Sequence, residues 1–138
     1  MGAWGVGNFE NDDALDWADA FDRASELQSV ENTSFIEETL RVVTERGDEY
    51  LESPDACRAL AAAEVVAALE HASGPKLPDR VVQWISHRHL DGSSLPQVAL
   101  NAIQRIRTSS ELKDLWDESG STTEWYEVIS QLEARLKS

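Results

Sequence analysis

Glu64 is the residue whose position local rules explain least. On a helical wheel its neighbours are Cys57, Leu60, Ala61, Ala67, Ala68 and His71, a small and mostly apolar stripe. The carboxylate is therefore expected to enter the core or a narrow groove, where a charge is costly unless it is paired and hydrogen-bonded. Two chemistries meet that demand. As a structural anchor, Glu64 would accept hydrogen bonds from backbone N–H groups or a tryptophan indole, and alanines around it would let another backbone approach. As a general acid or base, it would carry a pKa raised by burial. No second catalytic group stands beside it in the sequence, which favours the anchor. The partner segment expected for an anchor is the glycine-rich leader, with Trp4, Gly5, Phe9 and Asn11 joining Glu64 as anchor residues.

The other constellations yield less chemistry. Asp12, Asp16 and Asp19 carry oxygens that suit a divalent cation, but a straight helix presents them in a row rather than around a point. With Asp13, Asp22 and Glu26 they read instead as a solvated face or a partner-binding footprint. Gly5-Val6-Gly7 lacks the third glycine of a phosphate cradle, since Glu10 stands there, and Asp12 and Asp13 would repel a phosphate. His87 and His89 are two residues apart and share no helix face, so they form no preorganised metal pair. Cys57 lies in an alanine-rich stretch and reads as a small core residue. No catalytic residue, metal or cofactor is assigned.

The elements that must position these residues are helices. Asn11 is placed to cap a helix running to about Gln28, with Ala14, Trp17, Ala18, Phe21 and Ala24 facing inward. A second helix is expected from Ser34 to Glu45, burying Phe35, Ile36, Leu40 and Val43, with Gly47 as its stop. Ser53-Pro54 opens a third, reaching about His71, apolar nearly all round and so the most buried. Shorter helices follow at Asp79–Arg88, Leu95–Arg107, Ser110–Glu118 and Thr122–Leu136, the last introduced by a capping box from Ser121 to Glu124. Strand signals are confined to the leader and Tyr50-Leu51. The class is all-α, a single domain over residues 1–138 with the leader packed on the central alanine-rich helix.

Charge divides function classes more sharply than any motif. The net charge is −14, and residues 1–70 hold seventeen Asp/Glu against four Lys/Arg. Such a field repels nucleic acid and anionic membrane and draws basic proteins. The single Cys excludes an internal disulfide, and the absence of an export signal at Met1 agrees with a cytoplasmic protein. No apolar run is long enough to span a membrane.

The opening Met-Gly-Ala-Trp-Gly-Val-Gly-Asn-Phe-Glu-Asn-Asp-Asp-Ala-Leu-Asp-Trp resembles a bacterial family classed as domain of unknown function 4259. The blocks Ala59–Ala67 and Ser110–Trp116, and a terminal Trp125 followed by Leu132 and Leu136, agree with it. The resemblance implies a small bacterial cytosolic protein with an acidic opening helix, and no established activity. Two functions are expected to compete. One is an interaction domain, an immunity- or antitoxin-like inhibitor of a basic partner such as a nuclease toxin. The other is a small hydrolase or ligand-binding domain built around Glu64.

Overall fold

The computed structural model describes residues 7–27, 32–70, 77, 79, 81–82 and 94–137; the side chains of 22, 24–27, 32, 33 and 70 lie outside that description. Among the described residues six helices carry the fold and no strand forms. They are α1 (Asp12–Leu27), α2 (Asn32–Thr44), α3 (Ser53–Glu70), α4 (Leu95–Thr108), α5 (Glu111–Ser119) and α6 (Thr122–Lys137). Asp79, Val81 and Val82 are helical, and the rest of the helix expected over Asp79–Arg88 lies outside the described residues. None of the described helices is long and apolar enough to cross a membrane.

The third helix is the hub because its sequence offers no polar face over most of its length. Ala56, Cys57 and every residue from Ala59 to Ala67 are buried, and α3 touches each of the other five helices. Alanines at this density let neighbouring helices approach closely without losing packing. The larger side chains come from those neighbours: Trp17 and Phe21 of α1, Ile36 and Leu40 of α2, Ile103 and Ile106 of α4, Trp125 and Ile129 of α6. Trp17 stacks on Phe21 at 5.3 Å and lies 5.8 Å from Phe35. Its indole Nε1 donates to Thr39 Oγ1 at 2.8 Å, so the one polar atom of this aromatic cluster is satisfied across α1 and α2.

Local chemistry sets the boundaries. Asn11 Oδ1 accepts from the Ala14 N–H at 2.8 Å at the start of α1. Ser110 Oγ accepts from the Lys113 N–H at 3.0 Å, and Gly120, at φ 86°, closes α5 in a left-handed turn. Ahead of α6 the structure corrects the sequence expectation, because no capping box forms. The Ser121 N–H donates to Ser119 Oγ at 3.1 Å, which removes the donor that Glu124 would need, and Glu124 is exposed. Thr122 Oγ1 donates to the Trp116 carbonyl at 3.0 Å instead. Two reciprocal bonds tie α3 to α5: Ser53 N–H to Glu111 Oε1, and Glu111 N–H to the Leu51 carbonyl, both at 2.8 Å.

Candidate functional site

Glu64 sits at the middle of the hub helix and is 1% exposed. Its Oε2 accepts from Asn8 Nδ2 at 2.8 Å, and its Oε1 lies 2.8 Å from Arg135 Nη2. Three distant parts of the chain therefore meet at one carboxylate: the segment before α1, the centre of α3 and the last turn of α6. The leader reaches Glu64 through a side-chain amide, where sequence suggested a main-chain N–H or an indole. Arg135 had no place in the sequence reading. A signal for it existed, since it follows Leu132 by three residues and so borders the buried stripe of α6.

The electrostatics of this cluster pull in opposite directions. Burial pushes the Glu64 carboxyl above its ordinary range, and the charge of Arg135, with the bonds from Asn8 and Arg135, pulls it partly back. The Asn8 amide has only one workable orientation, because turning it over would set its oxygen against the carboxylate. That leaves Asn8 Oδ1 buried with no hydrogen-bond donor reaching it, on a residue 4% exposed. The cluster thus compensates its charge at the join of three segments and keeps one buried acceptor, Asn8 Oδ1, unmatched. A second buried acid repeats the device: Glu133, on the inward side of α6, is ion-paired with Arg107 of α4.

The segment before α1 is organised around its own carboxylate. Glu10 Oε1 accepts from the Gly7 N–H at 3.0 Å, and the Glu10 N–H returns to the Gly7 carbonyl at 3.0 Å. The amide that a phosphate would require is therefore occupied by a carboxylate. Phe9 is half-buried against the core, and Trp4 and Gly5 lie outside the described residues.

On α1 the candidate partner-binding residues separate into two groups. Asp12, Asp16 and Asp19 are exposed, whereas Asp13 is half-buried and close enough to Cys57 to act on its thiol. Burial and the Asp13 charge raise the Cys57 thiol to about 12, with Arg58 opposing, so this cysteine stays protonated and inert at neutral pH. The side chains of Asp22 and Glu26 lie outside the described residues. Among the described residues no three His, Cys, Asp or Glu side chains converge as a metal site. His87 and His89 lie outside them.

The family model described as "Domain of unknown function (DUF4259)" matches residues 2–128. Asn8 and Glu64 fall inside that span and Arg135 beyond it. No curated protein and no solved structure matches the chain.

Proposed function

Starting from a chain that belongs to the DUF4259 family, whose description carries no activity, we propose an acidic protein-interaction domain that binds a basic protein partner. Its most concrete form is an immunity- or antitoxin-like inhibitor of a basic nuclease, in which carboxylates stand where substrate phosphates would bind. One observation carries this reading. Asp12, Asp16 and Asp19 form an exposed row on α1, while Ala14, Trp17, Ala18 and Phe21 of the same helix are locked into the core. The row is presented on a rigid support, within the half of the chain that holds nearly all the excess negative charge. Preplaced charges of one sign accelerate encounter with an opposite surface and select against acidic competitors.

The rival reading, a hydrolase or ligand-binding domain built on Glu64, draws less support from the geometry. A carboxylate with Asn8 on one oxygen and Arg135 on the other is committed to the protein itself. Affinity purification on the full chain, followed by association kinetics with the recovered partner, tests the proposal. A basic partner should bind more slowly as salt is raised, because screening acts over about 8 Å at physiological ionic strength. Asp16→Lys/Asp19→Lys should slow association with the fold unchanged. An acidic partner, or an on-rate indifferent to both salt and this variant, would overturn it.

A further inference from the structure

The outer stripe of α2 and the loop behind it form an open groove of about 470 Å³, lined by Glu38, Arg41, Val42, Glu45, Arg46 and Glu49. Its helical wall follows from sequence spacing, since positions 38, 41, 42 and 45 share one face of a helix. Its loop wall is held from behind. The Arg105 guanidinium of α4 donates to the Gly47 carbonyl at 2.7 Å, the Glu49 carbonyl at 2.6 Å and the Ser109 carbonyl at 2.9 Å. Arg46 is tied to Asp55 at 2.6 Å. Two loop carbonyls on one planar fork, itself anchored to the Ser109 carbonyl of its own helix end, fix the loop more firmly than a single contact would.

The cations in the groove are already engaged. Arg41 pairs with Glu37 at 3.1 Å and Glu45 at 3.9 Å, and Arg46 pairs with Asp55. What faces an incoming chain is Val42, 45% exposed, between the exposed carboxylates of Glu38 and Glu49. We propose that this groove docks a basic segment of a protein partner, with an apolar side chain seated on Val42 and flanking Lys or Arg residues meeting Glu38 and Glu49. The proposal rests on the basic-partner reading above and moves the specific contact from α1 to α2. The charge pattern favours this occupant over two others. A second copy of a chain carrying −14 would bring like charge to like. A small molecule in so open a groove would bury far less than the roughly 70–90% of its surface that such sites cover.

A random peptide display library selected on the full chain tests it directly. Enriched peptides are then titrated against wild type, Val42→Lys, Glu38→Lys/Glu49→Lys and Asp16→Lys/Asp19→Lys, all at exposed positions and each checked for folding by circular dichroism. The expected peptides share an apolar residue flanked by Lys or Arg. They should lose about tenfold or more in affinity for both groove variants, roughly 1.4 kcal/mol. Failure to enrich, enrichment without that pattern, or equal binding to the groove variants would overturn the proposal. Loss confined to Asp16→Lys/Asp19→Lys would sink the groove and leave the α1 surface standing. Loss confined to the groove variants would support the groove and remove α1 from the contact.

Discussion

At the scale of single residues, Glu64 offers the sharpest tests. Glu64→Ala removes an acceptor from Asn8 and breaks the buried pair with Arg135, which should cost about 3–5 kcal/mol of stability. Glu64→Gln keeps the shape and one acceptor, so chemical denaturation should find it less damaged. Glu64→Leu/Arg135→Met should recover only part of the loss, because it removes the desolvation of both charges but still leaves the buried Asn8 amide without its acceptor. A double variant no better than Glu64→Ala would show that the pair does more than compensate itself. The pH dependence follows from the raised carboxyl. In its window the native state holds a proton that the unfolded chain has released, so stability falls as pH rises from the ordinary carboxylate range through the raised value. The stability gap between wild type and Glu64→Gln should narrow over that rise; a widening gap would reverse the sign. Sequence could mark Glu64 because an acid among alanines breaks its helix's pattern. It could not pair the residue, since nothing local to Arg135 or Asn8 records which distant charge they meet.

Helix existence was the most legible property of the chain, because periods of three and four in α1 and α2 follow directly from which side chains must leave water, and the unbroken apolar length after Ser53-Pro54 marks α3. Ends were less so. The pattern Ser121-Thr-Thr-Glu124 satisfies every compositional rule for a capping box, yet Ser119 supplies a nearer acceptor to the Ser121 N–H. Competition among local acceptors decided that end, and composition does not rank them. Where a single geometry has no competitor, the cost of changing it can be stated. Gly120→Ala meets nothing within 4 Å, so its cost is the left-handed backbone alone, about 1–2 kcal/mol. Gly120→Asn should cost less, since Asn tolerates that conformation better. Ser110→Ala should lose about 1 kcal/mol through the cap to Lys113. Urea unfolding of the three variants checks this order, and equal midpoints for Ala and Asn at position 120 would contradict it.

At the scale of the whole molecule, a charge of −14 must be held together against itself. Sodium chloride should therefore raise the melting temperature of the free protein, by screening repulsion across the surface. A fall on adding salt would mean that ion pairs such as Arg46–Asp55 outweigh the repulsion. The meeting of Asn8, Glu64 and Arg135 also has a consequence in time. A ribosome delivers the chain from its N-terminus, so Glu64 emerges long before the arginine that compensates it. Until α6 is made, burying Glu64 means burying a carboxylate without its guanidinium, and the hub helix cannot close favourably around it. The central helix thus closes on its carboxylate only after the segment that carries Arg135 has left the ribosome.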